Sequence, residues 1–125
     1  MSIDRLPSTF AKYSDGVAIA GAGRWVHVAG QVGLGDDGKV VEGGLAAETS
    51  VAFDRIERVL EHFRATLSDV VKVTVFLTDL AEYAEFARVR AERFGDDLPA
   101  SSAVEVKGLM LGAQVEVEAV AFVVG

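Results

Sequence analysis

The clearest pattern in the sequence is a change in the spacing of apolar residues between two neighbouring segments. Across residues 45–67 they recur at steps of three and four with charged residues between them, which predicts a long amphipathic helix. Across residues 68–80 the step becomes two, which predicts a strand. The apolar face of this strand carries Val71, Val73, Val75 and Leu77, and its other face carries Lys72, Thr74, Phe76 and Thr78.

The segment before the first helix predicts two strands and a glycine-rich loop. Residues 17–32 are rich in β-branched residues and are broken by two glycines, which is typical of a hairpin with a tight turn. Residues 33–38 then match the dinucleotide-binding spacing G-x-G-x-x-G. Asp36 and Asp37 would repel a pyrophosphate, and no helix pattern follows directly, so we interpret this segment as a flexible loop.

The second half of the chain predicts another helix and two more strands. Asp79 and Glu82 have the spacing of a capping box, and apolar residues continue at helical steps as far as Phe94, before a glycine. Strands are predicted at about 101–107 and 113–123. The predicted order is therefore ββαβαββ, an α+β fold.

The two predicted helices can cover only one face of the mixed sheet. The opposite face would expose Phe76 and Phe122, and because large exposed apolar patches are uncommon on monomers, we expect a homo-oligomer. The residues expected beneath the helices on the last two strands are Val104, Val106, Val115, Val117, Ala119 and Ala121.

Composition limits the classes of function. The 125 residues fit one domain, 1–125, with a formal net charge of −7 and a pI near 4.7, which argues against a nucleic-acid partner. No cysteine is present, so disulfides, thiolate nucleophiles and Cys-based zinc sites are excluded. Neither a signal peptide nor a membrane segment is evident, so we expect no membrane association and a cytoplasmic location.

Five motifs, taken together, resemble one known family over nearly the whole chain from Tyr13. They are YSDGV near the start, VHVAGQVG in the predicted hairpin, DVVKVTVFLTDLAEYAEFARV in the middle, and PASSAVEV and VEVEAVAF near the end. In this order they are similar to the YjgF/RidA family, whose members are also labelled endoribonuclease L-PSP.

This resemblance implies a fold and a chemistry. The fold would be chorismate-mutase-like, assembled as a homotrimer with a central barrel and a small-molecule pocket at each subunit interface. The best-understood members hydrolyse enamines and imines such as 2-aminoacrylate to a 2-keto acid and ammonia. They use neither a metal nor an organic cofactor.

The motif at residues 99–106 departs from the deaminase pattern. In the deaminases it reads P-A-R-S-C-V-E-V, and its arginine binds the substrate carboxylate through two parallel charge-assisted hydrogen bonds. Here Ser101 replaces that arginine and Ala103 replaces the cysteine. We therefore expect an altered substrate or weak deaminase activity.

The resemblance also supplies the other candidate site residues. Glu116 matches the acid that positions the hydrolytic water, and Tyr13 matches a tyrosine that hydrogen-bonds or stacks on the ligand. Gly30 and Gln31 match the segment that lines the pocket floor. Arg90 stands where the deaminases often carry asparagine, so it could supply the cation that Ser101 lacks; a guanidinium facing bulk solvent would exclude this hypothesis.

Simpler roles are open for these residues. Arg90 could decorate a helix face and pair with Glu85, Glu92 or Asp97. Glu116 could belong to a solvated face or an interfacial ion pair. The two histidines form no triad with the motif serines and no metal-ligand cluster, so we predict no metal.

Three functions compete at this level. The first is an imine or enamine deaminase with a changed substrate, and the second is a non-catalytic trimer that binds a small metabolite. The third is the nuclease activity of the family label, which the acidic net charge disfavours.

Overall fold

The structure is a computed structural model that describes residues 2–125, so Met1 of the predicted 1–125 domain lies outside it. The α+β class with two helices on a mixed sheet is confirmed, but the described chain has the order βββαβαββ, one strand more than predicted. Among residues 2–125 no helix has the length and apolar character needed to cross a membrane. The elements are β1 (Ser2–Pro7), β2 (Ser14–Ala20), β3 (Gly23–Val32), α1 (Leu45–His62), β4 (Val70–Leu77), α2 (Tyr83–Phe94), β5 (Ala100–Glu105) and β6 (Val115–Val124).

The additional strand is β1, which pairs antiparallel with β2. Its two large apolar residues stand three apart, so it lacks the alternation that identifies a strand in a sequence. Arg5 fixes β1 to the rest of the fold, because its guanidinium donates to the backbone carbonyls of Ser68, Val70 and Leu98 at 2.8, 3.1 and 2.8 Å. Burial lowers the pKa of Arg5 below its ordinary value.

The strand order in the sheet is β1-β2-β5-β4-β6-β3. Strand β4 pairs parallel with β5 and antiparallel with β6, and β3 pairs antiparallel with β6. Strand β2 joins the sheet through one parallel bridge, from Ser14 to Ala100. The predicted hairpin is therefore wrong: β2 and β3 follow each other closely, but each pairs with a different strand, since β1 supplies the partner for β2.

Helix α1 ends at His62, earlier than the predicted end at residue 67. The chain reverses in a Schellman arrangement, in which the N–H of Ala65 donates to the Leu60 carbonyl at 2.9 Å and that of Arg64 donates to the Glu61 carbonyl at 3.0 Å. Ala65 is buried all the same, so the apolar spacing that predicts the helix continues past its end.

The turn before α2 contains only half of the predicted capping box. The Asp79 carboxylate accepts a hydrogen bond from the N–H of Ala81 at 3.0 Å, as a cap should. Glu82 makes no reciprocal side-chain bond within the described chain, so that part of the prediction is wrong. The N–H of Leu80 is bonded instead by Glu105 at the end of β5, at 2.9 Å.

The helices cover one face of the sheet. The predicted alternation is confirmed on β6 and on most of β4, whose residues Val73, Val75, Leu77, Val115, Val117, Ala119 and Ala121 are buried. At the start of β4 it is wrong, because a register shift between Val70 and Lys72 places Val70 in the core and not the predicted Val71. On β5 the prediction is reversed, because Val104 is 43% exposed and Val106 is only partly buried, whereas Ala103 packs against the core. The parallel register causes this reversal by placing Ser101 and Ala103 beside the buried valines of β4.

The opposite face of the sheet, called the open face below, exposes a different aromatic residue from those expected. Phe76 is partly buried, and Phe122 is only 4% exposed. Phe122 fits in because Gly23 leaves room: a Cβ there would lie 2.5 Å from its ring. Trp25 packs edge-on against Phe122, with a centroid separation of 5.0 Å, and is itself 54% exposed.

Candidate functional site

The most unusual side chain in the molecule is Arg90 on α2, which is only 1% exposed. It lies on the buried face of the helix with Phe86, Val89 and Phe94, so this face carries one cation among apolar residues. Buried arginines are almost always paired with an acid. Arg90 forms no ion pair with any carboxylate of residues 2–125.

Only one nitrogen of the Arg90 guanidinium is hydrogen-bonded. Nη1 donates to the hydroxyl of Tyr83 at 2.9 Å and to the hydroxyl of Ser101 at 3.0 Å. The other two nitrogens, Nε and Nη2, are buried without a partner in the described chain. A buried donor without an acceptor costs about 1–3 kcal/mol, and more when it is charged. Within the described chain, the guanidinium therefore makes two hydrogen bonds although it has five N–H donors.

Three aromatic rings surround this cation. The Arg90 Cζ atom lies 5.4 Å from the ring centroid of Tyr13, 5.6 Å from that of Tyr83 and 5.4 Å from that of Phe86. Contacts within about 6 Å stabilise a cation by about 0.5–2 kcal/mol each. The rings therefore offset part of the cost of burial, but they accept no hydrogen bond in the guanidinium plane.

Tyr13 is brought to Arg90 by the chain that leads into β2. The N–H of Ser14 donates to the Pro99 carbonyl at 2.9 Å, and the Ser14 hydroxyl donates to the Leu98 carbonyl. These bonds fix the residue after Tyr13 to the start of β5, where Ser101 follows. The ring of Tyr13 is thus one of the three aromatic rings that enclose the guanidinium.

Ser101 and Ala103 form the small-residue side of the site. Both lie on the helix-covered side of β5, two residues apart, and Ser101 contacts Arg90 directly. The Ser101 hydroxyl accepts one of the two hydrogen bonds that the Arg90 Nη1 atom donates.

Glu116 lies on the opposite side of the sheet. Its neighbours Val115 and Val117 face the helices, so by the alternation of β6 its own side chain projects from the open face. A Cβ at Gly30 would lie 2.2 Å from the Glu116 Oε2 atom, so the bare backbone there leaves room for this carboxylate. Gln31 accepts a hydrogen bond from the Arg55 Nε atom at 3.2 Å.

The structure thus divides the site residues expected from the sequence into two groups. Within one chain it brings together Tyr13, Arg90 and Ser101, with Ala103 nearby on the same strand face. The second group lies on β3 and β6: Gly30 and Glu116 are at the open face, but the Gln31 side chain lies on the helix-covered side, where it bonds Arg55 of α1. The sequence analysis did not identify Tyr83 and Phe86 as part of the site, although their helical spacing from Arg90, seven and four residues, places all three on one face.

The solvent-facing role considered for Arg90 belongs to Arg88. Arg88 donates to Glu85 and Glu92 at 3.1 Å each, and all three side chains are exposed. Its pKa is raised, chiefly by the hydrogen bond to Glu85. Arg88 and Arg90 are therefore two residues apart on the same helix, but Arg88 forms exposed ion pairs and Arg90 is buried. This makes Arg88 a matched control for Arg90.

Sequence comparison identifies the relatives of this chain. The family model described as Endoribonuclease L-PSP matches residues 3–123. A RutC family protein of Pyrococcus abyssi is 36% identical over 120 residues, which are 95% of this chain and 92% of the relative. A 2-iminobutanoate/2-iminopropanoate deaminase of Bos taurus is 31% identical over 122 residues, which are 97% of this chain and 87% of the relative.

Comparison of the fold agrees with the sequence. The crystal structure of a Rid-family protein of unknown function from Yersinia pestis is similar to this chain with a TM-score of 0.84 at 28% identity, covering 98% of this chain and 100% of the other. The chain therefore belongs to the YjgF/RidA family, whose family model is described as Endoribonuclease L-PSP.

Proposed function

We propose that this protein binds a small imine or enamine that carries a carboxylate and hydrolyses it to a 2-keto acid and ammonia, with Arg90 holding the carboxylate. The observation that carries the proposal is the pair of buried, unpartnered nitrogens on Arg90. The deaminase relatives, about 30% identical over nearly the whole chain, supply the reaction class.

The two free nitrogens suit a carboxylate because of where they lie on the guanidinium. Nε and Nη2 form one edge of the planar group, and their N–H bonds point in parallel. A carboxylate can accept both bonds at once, in the bidentate geometry that is stronger than a single neutral hydrogen bond. Nη1, on the far side, already bonds Tyr83 and Ser101, so the protein fixes the edge that faces the ligand.

Access to this edge requires movement of Tyr13, since Arg90 is almost completely enclosed. Moving the ring gives up one cation–aromatic contact, about 0.5–2 kcal/mol. Two charge-assisted hydrogen bonds, at about 1.5–3 kcal/mol each, exceed this cost. The Tyr13 ring can then cover the planar ligand in the place it vacated.

Hydrolysis needs a base as well as a carboxylate site, and Glu116 is the candidate. Its carboxylate would remove a proton from water as the oxygen bonds to the imine carbon, and pass that proton to the nitrogen, which receives the C=N π pair, to give a carbinolamine. The same carboxylate would then move the carbinolamine hydroxyl proton to the nitrogen, so that the C=O bond forms as the C–N bond breaks and ammonia leaves. In one chain Glu116 and Arg90 lie on opposite sides of the sheet. We therefore propose a homotrimer in which the Glu116 side chain and the backbone of Gly30 and Gln31 of one copy complete the Arg90 site of the next.

A non-catalytic, metabolite-binding trimer is the second candidate, and the replacement of the motif arginine by Ser101 favours it. The same Arg90 edge would then hold a carboxylate without hydrolysis. Nuclease activity finds less support, because the net charge of −7 opposes binding of a phosphate backbone.

The two candidates are separated by assaying ammonia and keto-acid release from imines that an amino-acid oxidase generates in situ, with semicarbazide to trap imine that escapes. Arg90→Met should lower kcat/KM by roughly thirty- to several-thousand-fold, which corresponds to about 2–5 kcal/mol for a buried charge pair. Glu116→Gln should lower kcat without a matching rise in KM. Arg88→Ala should leave the rate unchanged.

If wild-type protein hydrolyses imines no faster than buffer but still binds keto acids, the metabolite-binding trimer is supported and the deaminase is contradicted. Loss of activity in Glu116→Gln but not in Arg90→Met would contradict the assignment of Arg90. A double variant, Arg90→Asn with Ser101→Arg, that hydrolyses imines at least as fast as wild type would support a relocated cation, because it restores the arginine and the asparagine of the deaminase pattern.

A further inference from the structure

A second group of cations lies far from Arg90, where the end of α1 meets the start of β3. Two adjoining clefts of about 310 and 320 Å³ share Arg24 and Phe63 as walls. Each volume is near the lower end of the range for small-molecule sites. The side chains that matter for their chemistry are Arg24, Trp25, His27, His62, Phe63 and Arg64.

The charge of these clefts is opposite to that of the chain. The sequence has a net charge of −7 and only two histidines, yet both histidines and two arginines line the clefts, and no acid does. Neither Arg24 nor Arg64 forms an ion pair with a carboxylate of the described residues. Among residues 2–125, the guanidinium of Arg24 donates a hydrogen bond only to the backbone carbonyl of Arg64, at 3.4 Å.

Arg64 occupies a backbone position that normally selects glycine. It is the residue of the Schellman turn at the end of α1 that adopts a left-handed conformation, with φ of 58°. Any residue with a Cβ is strained there, and glycine is the usual choice. An arginine at a strained position, beside a second arginine, is the kind of outlier from which a functional role is inferred.

Aromatic surface adjoins these cations. Trp25 is 54% exposed and Phe63 is 46% exposed, although both are large apolar side chains. The indole is held in place by Phe122 beneath it and by His27 at 6.4 Å. The clefts are lined by residues 24–27 at the start of β3, whereas Gly30, which we propose meets the neighbouring copy, lies near the other end of the strand.

We propose that these clefts form a binding site for a planar aromatic ring that carries a phosphate, the chemistry of a nucleoside monophosphate. The guanidinium groups match the geometry of phosphate, and the indole offers a face on which a base can stack. The acidic remainder of the chain opposes a long phosphate backbone, so the ligand is a mononucleotide and not RNA. This site is independent of the Arg90 site.

The single tryptophan makes the proposal directly testable, because Trp25 is the only indole in the sequence and lies in the cleft. Adenosine monophosphate should quench its fluorescence saturably. Adenosine and inorganic phosphate, which each carry half of the chemistry, should bind at least about tenfold more weakly. A single-stranded oligoribonucleotide that binds much more tightly than the monophosphate would overturn the choice of ligand.

Two variants separate binding from a purely structural role. Arg24→Ala and Arg64→Gly should each weaken monophosphate binding about tenfold, as expected for loss of one charge-assisted contact. Arg64→Gly should also raise the melting temperature by a few degrees, because it removes the strained φ. Arg88→Ala should change neither quantity.

Quenching that is unaffected by Arg24→Ala and Arg64→Gly would overturn the proposal. So would a drop in melting temperature for Arg24→Ala with unchanged affinity, since Arg24 would then only cap the end of α1. Absence of quenching by adenosine monophosphate in folded wild-type protein would overturn it as well.

Discussion

Replacement of Arg90 by methionine should stabilise the protein while removing its proposed function. The reason is the burial of Nε and Nη2 without partners, which costs about 1–3 kcal/mol for each donor. Methionine has a similar length, keeps favourable contact with aromatic rings and carries no charge to desolvate. Exchange of buried ionic groups for apolar residues of similar volume has stabilised proteins by about 1–4 kcal/mol.

Some favourable terms are lost in this exchange. The hydroxyls of Tyr83 and Ser101 each lose a charged donor, and the three ring contacts of the guanidinium become weaker thioether contacts. We therefore expect the lower part of the range, a gain of about 1–2 kcal/mol in the free energy of unfolding. For a chain of this size the melting temperature should rise by about 4–8 °C.

The assay is urea denaturation of wild type and Arg90→Met followed by circular dichroism, at one protein concentration because assembly shifts apparent stability. Arg88→Ala is the control and should lie within about 0.5 kcal/mol of wild type, since exposed ion pairs contribute little. A loss of more than about 2 kcal/mol in Arg90→Met would refute the reasoning, because it would mean that the guanidinium is fully satisfied in the folded protein.

Three further substitutions test other parts of the account. Gly30→Ala places a Cβ against the Glu116 carboxylate and should reduce imine hydrolysis at least about tenfold with an unchanged circular dichroism spectrum; unchanged activity would contradict the role of Glu116. Gly23→Ala forces the Phe122 ring to move and should lower stability by about 1–3 kcal/mol in urea denaturation, so an unaltered midpoint would contradict the packing. Arg5→Ala removes three bonds to carbonyls and should make the N-terminal strand sensitive to limited proteolysis, whereas equal resistance would show that β1 is held by other contacts.

Local patterns predict the elements whose partners are close in sequence. The alternation in β4 and β6 places their buried residues correctly, because each strand has one apolar face that can only pack beneath the helices. Local patterns do not predict which strands pair with each other, because pairing depends on residues that are distant in the chain. Strands β2 and β3 have the sequence of a hairpin, but β1 and β6 take them as partners, and no local signal distinguishes the two outcomes.

In the candidate site, too, some features follow from the local sequence and others from pairing with distant strands. The motif at residues 99–106 identifies Ser101 and Ala103 as departures from the deaminase pattern, but period two alone does not say which side of β5 faces the helices. The parallel register with β4 decides this, and it turns Ser101 toward Arg90. The burial of Arg90 could have been inferred from its spacing from Phe86 and Phe94, four residues on either side, which places it on the apolar stripe of α2.

The measurement that tests the central claim most directly is calorimetric titration with 2-oxobutanoate, the keto acid that hydrolysis of a 2-iminobutanoate would release. Wild type and Arg88→Ala should bind it with equal affinity, and neither should bind butanone, which lacks the carboxylate. Arg90→Met should bind the keto acid at least about thirtyfold more weakly. Equal affinity of Arg90→Met and wild type would contradict the claim that Arg90 holds the carboxylate.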